Sequence, residues 1–112
     1  MERIVEDFFE RSNGKGWIHI DRLLTPEVMG PHVKMYAKVT VDIDSGIGYH
    51  QHIGDGESYY ILEGSADYID EFGEHCQLQP GDVTFTKDQM SHGIYNAGNI
   101  PLVFMALIIK SE

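Results

Sequence analysis

The sequence predicts an all-β domain, an antiparallel barrel or sandwich with short helical turns only near its N-terminus. Two observations support this fold class. From Val33 onward apolar and polar residues alternate, as they do in strands that bury one face. Turn-forming triplets such as Pro80-Gly81-Asp82 separate the strand-like runs at intervals too short for the helices of βαβ units. The length of 112 residues fits one such domain.

The first 32 residues differ from the rest, and we expect them to form an arm that packs on a barrel made by residues 33–112. Four apolar residues of this arm recur at the spacing of a helical turn, namely Ile4, Val5, Phe8 and Phe9. They predict one or two amphipathic helical turns. Asn13-Gly14 then breaks the chain, and Pro26 near the start of residues 23–29 predicts a second short turn of helix.

The barrel begins with residues 33–43, where the alternation is longest. Further strand-like runs follow at residues 48–53, 57–62, 66–70, 75–78, 83–86, 92–95 and 102–109. The last run is apolar at every position, so both of its faces need cover. A second subunit could supply that cover, and so could the N-terminal arm with Phe8 and Phe9. Of these two interpretations we predict the homodimer.

Composition excludes several classes of function. Eight basic against eighteen acidic side chains give a formal net charge of −10, which argues against binding to nucleic acid or to an anionic membrane surface. No apolar run approaches the roughly 20 residues of a membrane helix. Cys76 is the single cysteine, so there is no intrachain disulfide. The charged N-terminus lacks the layout of a signal peptide, and we expect a cytoplasmic protein.

Two of the six histidines, His50 and His52, lie two residues apart on a predicted strand and therefore face the same side. The turn Gly54-Asp55-Gly56 breaks that strand and can return Glu57 to the same volume. His92 begins a later strand and can add a third imidazole. Such a set suits a divalent zinc, iron, manganese, nickel, cobalt or copper ion better than magnesium or calcium. The alternative is a pair of exposed or hydrogen-bonded imidazoles without a metal.

Two motifs of the sequence resemble the two signatures of the cupins, and the resemblance covers about residues 33–109. The motifs are His50-x-His52-x4-Glu57-x6-Gly64 and Gly81-Asp82-x9-His92-x3-Asn96. The resemblance implies a small β-barrel, or jelly roll, that holds one metal ion inside. It also implies the metal ligands, which are His50, His52, Glu57 and His92. The sequence departs from the signatures only at turn positions, with Asp44, Lys87 and Gln89 in place of the usual glycine or proline.

Strand parity predicts a mostly apolar cavity beside the metal that admits a small molecule. Parity gives Tyr59, Ile61, Ile94 and Asn96 as lining residues. Further expected lining residues are Phe85, Met90, Phe104 and Met105. The histidines outside the two motifs, which are His19, His32 and His75, are predicted to be surface or hydrogen-bonded groups.

The resemblance implies several functions. Small cupins of this kind resemble metal-dependent oxygenases, decarboxylases and isomerases, oxalate-decarboxylase-like proteins among them, and we favour an enzyme that acts on a small organic substrate, with a carboxylate among the candidates. A non-catalytic binding or sensing module is the alternative. A third hypothesis is a storage or structural barrel in which the metal only stabilises the fold. Catalytic residues are not assigned.

The positions of the basic residues bear on a dicarboxylate substrate. All three arginines, Arg3, Arg11 and Arg22, precede the predicted barrel. A dicarboxylate would therefore need a lysine, namely Lys34, Lys38 or Lys87, or an arginine from a folded-back N-terminal arm.

Overall fold

The computed structural model describes residues 3–111, which form two antiparallel sheets packed face to face as a jelly roll. The strands are β1 (Ile4–Phe9), β2 (Trp17–Arg22), β3 (Val33–Val41), β4 (Gly46–Gln51), β5 (Asp55–Glu63), β6 (Ala66–Ile69), β7 (His75–Leu78), β8 (Val83–Thr86), β9 (Ser91–Asn96) and β10 (Leu102–Lys110). One sheet has the order β1-β2-β3-β10-β5-β8, and the other has the order β4-β9-β6-β7. The predicted all-β fold class is confirmed.

The core lies between the sheets. Along β3 the residues from Met35 to Val41 alternate between buried and more exposed positions, as the sequence pattern predicts. The larger sheet contributes Tyr59 and Phe104, and the smaller sheet contributes Ile94, all three of them at most 2% exposed. Burial of these apolar side chains supplies the main favourable free energy of folding.

The helical turn predicted for residues 4–9 is wrong, because this segment is strand β1. It pairs with β2 along its whole length, from Ile4 opposite Arg22 to Phe9 opposite Trp17. Hydrogen bonds to the edge of β2 satisfy every other backbone group of a segment that is too short to be stable as an isolated helix. The second predicted helical turn is confirmed as α1 (Pro26–Met29).

The N-terminal residues extend the larger sheet. Strand β2 pairs with β3 and buries Ile18 and Ile20 in the core. Strand β1 lies at the sheet edge, separated from β10 by two strands, and the ring of Phe8 packs against the core. Within residues 3–111, no helix is long and apolar enough to cross a membrane.

Candidate metal centre

The four predicted ligands come together between the two sheets. His50 lies on β4, directly opposite His92 on β9, while Glu57 extends from β5 of the facing sheet. His52 follows the end of β4, and its backbone N–H donates to the carbonyl of Met90. One ligand atom from each of the four side chains lies within 4.8 Å of the others.

Three of these atoms are nearly in contact. Nε2 of His52 lies 3.0 Å from Oε1 of Glu57, and Nε2 of His92 lies 3.1 Å from the same oxygen. The two Nε2 atoms are 3.1 Å apart. All three residues are buried, with His92 fully inaccessible. Because buried polar groups need partners, this cluster requires protons or a cation at its centre.

The opposite nitrogen of each of two histidines is held by an oxygen atom. Nδ1 of His50 lies 2.7 Å from the carbonyl oxygen of Gly48, and Nδ1 of His52 lies 2.6 Å from Oδ1 of Asp55. Both oxygens accept hydrogen bonds, so each Nδ1 carries a proton. When the ring is neutral, its Nε2 lone pair is directed inward, as metal ligation requires.

His92 is held by a buried hydroxyl chain. Its Nδ1 lies 2.8 Å from Oγ1 of Thr86, which lies 3.0 Å from the hydroxyl of Tyr68. Thr86 and Tyr68 are both buried. The chain fixes the ring orientation of a ligand that has no carboxylate on its outer nitrogen.

The donor set fits a divalent transition metal. The inward Nε2 lone pairs of His50 and His52 and the Glu57 carboxylate are all electron-pair donors that would repel one another without a positive charge between them. Three imidazoles with one carboxylate are typical of zinc, iron, manganese, cobalt, nickel and copper sites.

Protons compete with a metal for this cluster. Burial tends to raise the pKa of Glu57, but hydrogen bonds from His52 and His92 outweigh it and hold that pKa at about 2. The hydrogen bond to Glu57 raises the pKa of His52, whereas burial lowers the pKa of His50. In the apo-protein a proton on His52 therefore pairs with the Glu57 carboxylate, and a bound metal must displace it.

A phenol adjoins the cluster. The ring of Tyr59 stacks on the ring of His92 with 4.8 Å between centroids, and its hydroxyl lies 3.4 Å from Nε2 of His92. Burial raises the pKa of Tyr59 well above its ordinary value, while the positive charge of Arg11 acts weakly in the opposite direction. Tyr59 is therefore a neutral hydrogen-bond donor at neutral pH.

A cavity of about 420 Å³ opens beside the ligands, and His50, His52 and Glu57 form part of its wall. Apolar side chains from the larger sheet line the opposite part, including Ile18, Ile20, Val39 and Phe104. A volume of this size is typical of small-molecule sites.

Of the expected lining residues, the structure places Tyr59 and Phe104 in the wall described for residues 3–111. Met105 lies beside Tyr60 on the outward face of the larger sheet instead. Ile61 and Ile94 are buried in the core instead. Phe85 is opposite Ser58 on β5 and shares its outward face, so its ring is 53% exposed, and Met90 is also exposed. The Asn96 amide donates to the carbonyls of Val41 and Ile100, which is a structural role.

The structure adds to the wall four charged side chains that are not among the predicted lining residues. These are Arg11, Arg22, Lys34 and Asp55. The sequence pattern assigns Asp55 only to a turn, although its position three residues after His52 is a signal for a carboxylate–histidine pair. Lys34 and the two arginines of the folded-back N-terminus are of both kinds of cation that a dicarboxylate site was expected to need.

The remaining histidines that were predicted to be hydrogen-bonded include two with carboxylate partners. Nδ1 of His19 lies 2.8 Å from Asp7, and its Nε2 lies 2.9 Å from Asp42. His75 contacts Asp67 at the surface with a separation of 3.0 Å. Neither histidine belongs to the metal cluster.

Comparison with known proteins assigns the family. The sequence model of the cupin domain matches residues 37–108. The chain belongs to the cupin family. A curated relative, an oxalate-binding protein from Thermotoga maritima, is 38% identical over 96 residues, which cover 86% of this cupin and 78% of the relative.

Two solved structures share the fold. A predicted oxalate decarboxylase from Thermotoga maritima superposes with a TM-score of 0.92 at 36% identity, covering 97% of this chain and 94% of that chain. KdgF from Halomonas sp. superposes with a TM-score of 0.70 at 22% identity, covering 85% and 81% of the two chains, and this likeness concerns the fold alone.

Proposed function

We propose that this cupin is a metal-dependent enzyme that acts on a small organic carboxylate. The observation that carries the proposal is the position of the ligand cluster, because three of its four side chains form part of the wall of a cavity large enough for a small molecule. A structural zinc site is usually closed and rich in thiolate, whereas these ligands are imidazoles and a carboxylate beside open space.

The charge of the cavity favours an anion. Three cationic side chains line it, namely Arg11, Arg22 and Lys34, against the two carboxylates Asp55 and Glu57. The wall side chains thus have one excess positive charge, which Glu6 beside Arg22 offsets, and a divalent ion adds two positive charges within a protein of net charge −10. A carboxylate ligand is therefore attracted to the cavity although the protein as a whole repels it.

The bound ion would supply Lewis-acid polarisation of the substrate and coordination positions open to it. His50, His52, Glu57 and His92 would hold the ion. The neutral phenol of Tyr59 is placed to donate a hydrogen bond to an anionic oxygen that lies next to them. Lys34 holds Asp55 at 3.0 Å, and Asp55 in turn orients His52.

The relatives agree with a carboxylate substrate. One is named an oxalate-binding protein, and one solved structure is described as a predicted oxalate decarboxylase. For this chain oxalate is accordingly the first probe to use.

Non-catalytic binding is the second candidate function. Both wall carboxylates are occupied, Glu57 within the ligand cluster and Asp55 by Lys34 and His52. A proton donor or acceptor for turnover would therefore have to be Tyr59 or water. A sensor with the same site needs no such group.

A metal-reconstitution experiment tests the proposal. Apo-protein is loaded in turn with Mn²⁺, Fe²⁺, Co²⁺, Ni²⁺ and Zn²⁺ and incubated with oxalate and a panel of small carboxylates, while product formation and oxygen uptake are measured. We expect turnover with at least one metal and none in Glu57→Gln. In Tyr59→Phe, turnover should fall by about tenfold or more with metal content unchanged. Saturable binding without turnover under every metal would instead support the sensor.

A further inference from the structure

The polar part of the cavity includes a residue from an unusual turn. We call residues 10–16, which connect β1 to β2, the N-terminal turn. It contains a single tight turn, Arg11–Asn13, whose central residue Ser12 has non-helical dihedral angles. Glu10, Ser12 and Asn13 adopt left-handed backbone conformations with φ of 54°, 56° and 59°. Non-glycine residues are uncommon in this region, and such conformations cluster at functional sites.

The N-terminal turn packs closely against two glycines of β4, Gly46 and Gly48. A Cβ atom at Gly48 would collide with the carbonyl oxygen of Ser12, and one at Gly14 would collide with the carbonyl oxygen of Gly46. Two backbone hydrogen bonds also join Lys15 to Gly46. The turn is therefore seated directly on the strand that carries His50, and Arg11 is brought to the same cavity as the metal ligands.

Arg11 differs from the other two cations of the cavity. Nε of Arg22 lies 2.9 Å from Glu6, and Nζ of Lys34 lies 3.0 Å from Asp55, so each of them already has a carboxylate partner. The guanidinium of Arg11 lies over the ring of Phe8, 4.2 Å from its centroid. Among residues 3–111 no carboxylate is paired with it. Its planar set of donors is thus available to a ligand.

The cavity is larger than a two-carbon dianion requires. Its volume of about 420 Å³ corresponds to about 14 water molecules at roughly 30 Å³ each. Between the polar groups the wall is apolar, with Ile18, Ile20, Val39, Ile47 and Phe104. A ligand that fills this space has an apolar or neutral middle section as well as a group for the metal.

We propose that Arg11 binds a second carboxylate of the ligand and so selects dicarboxylates that are longer than oxalate. One carboxylate lies at the metal, a chain of several carbons follows the apolar wall, and the other carboxylate accepts two hydrogen bonds from the guanidinium. The inference rests on the proposed function for the first carboxylate and adds the class of ligand.

The test is calorimetric titration of Mn²⁺-loaded protein with oxalate, succinate, glutarate and adipate, each longer diacid being paired with the monocarboxylate of equal length. We expect at least one longer diacid to bind about tenfold or more tightly than its monocarboxylate. Arg11→Met should remove that advantage, so that the diacid binds no more tightly than the monocarboxylate of equal length. Arg11→Lys should retain only part of it, because an ammonium lacks the planar fork.

Arg3→Met is the matched control, since Arg3 is an exposed arginine that pairs with Asp21 rather than lining the cavity. Diacid affinity should not change in this variant. If Arg11→Met leaves the diacid advantage intact, or weakens diacids and monocarboxylates equally, the role of Arg11 is refuted. Oxalate binding without any gain for longer diacids refutes this inference alone, whereas failure of every carboxylate to bind refutes the proposed function as well.

Discussion

At the scale of single residues, each histidine of the metal site has a different partner for its outer nitrogen. His50 uses a backbone carbonyl, His52 uses the Asp55 carboxylate, and His92 uses the Thr86 hydroxyl. A carboxylate partner makes the ring a stronger electron donor than a carbonyl or a hydroxyl does. His52 is therefore the ligand whose basicity depends most on its neighbour.

We expect Asp55→Asn to weaken metal binding by about 10- to 100-fold, because the amide lacks the negative charge that supports His52. Competition with a chelator measures this loss. Asp67→Asn is the control, since Asp67 also pairs with a histidine but does so at the surface, outside the metal cluster. Equal affinity in wild type and Asp55→Asn would contradict the assigned role.

Metal affinity should fall as the pH is lowered. The hydrogen bond to Glu57 raises the pKa of His52, so protons compete with the metal at a higher pH than they would for an unperturbed imidazole. The Glu57 carboxylate, with a pKa of about 2, stays ionised at every pH at which the histidines titrate. Metal occupancy measured between about pH 8 and 5 should decline with release of the ion. A flat profile would contradict this expectation.

At the scale of elements, a bridging histidine ties strand β1 to the rest of the larger sheet. His19 on β2 contacts Asp7 of β1 through Nδ1 and contacts Asp42, just after β3, through Nε2. Both partners are acceptors, so the ring serves both only when it carries two protons. Imidazolium therefore links three consecutive segments at the sheet edge.

This bridge should stabilise β1 more at low pH than at high pH. The hydrogen bond to Asp7 raises the pKa of His19, so its contribution is complete below the unfolded value of 6.5 and is lost as the pH rises through the folded value. We expect His19→Gln to reduce the free energy of unfolding at about pH 6 and to have little effect at about pH 9. Urea denaturation at both pH values measures the difference. His75→Gln, at the surface pair with Asp67, is the control.

The individual elements differ in how far the sequence determines them. The alternation in β3 predicts that strand correctly, because one face is buried along its length. Residues 4–9 are ambiguous, since their apolar spacing fits a helical turn as well as an edge strand. The partner that decides between the two is β2, which lies across the N-terminal turn. Local periodicity does not contain such a tertiary choice.

The candidate site, too, can be predicted from the sequence only where its residues lie close together along the chain. His50, His52 and Glu57 lie within eight consecutive positions, so strand parity and one turn suffice to bring them together. Arg11 reaches the cavity only through the packing of the N-terminal turn on β4, 35 or more residues along the chain. Such a contact depends on the topology of the fold and cannot be predicted from the spacing of residues along the sequence.

At the scale of the whole molecule, the outer face of the larger sheet is unusually apolar. Met105 on β10 lies beside Tyr60 of β5, and Tyr60 lies beside Val83 of β8. Leu107 on β10 lies beside Tyr36 of β3. Tyr36, Tyr60 and Val83 are between 37% and 65% exposed. We propose that a second copy of the chain covers this face, because two molecules of net charge −10 repel each other least where acidic groups are few.

Sedimentation at micromolar concentration should accordingly detect a homodimer. Tyr60→Glu places a charge at the centre of the apolar face and should give a monomer that keeps its metal. Phe72→Glu is the matched control, because Phe72 is 80% exposed on the turn between β6 and β7 of the other sheet. A wild-type monomer at this concentration would refute the homodimer.

Because the N-terminal turn packs on β4, metal binding and ligand recognition in the cavity come from two different stretches of the chain. Residues 37–108, which match the cupin domain, contain all four metal ligands, whereas Arg11, Ile18, Ile20 and Arg22 all precede that stretch. Ligand preference can thus change without disturbing the metal. Chimaeras that exchange residues 1–32 between cupins, keeping the glycines of β4, offer a route to recombining one metal-binding barrel with several recognition segments.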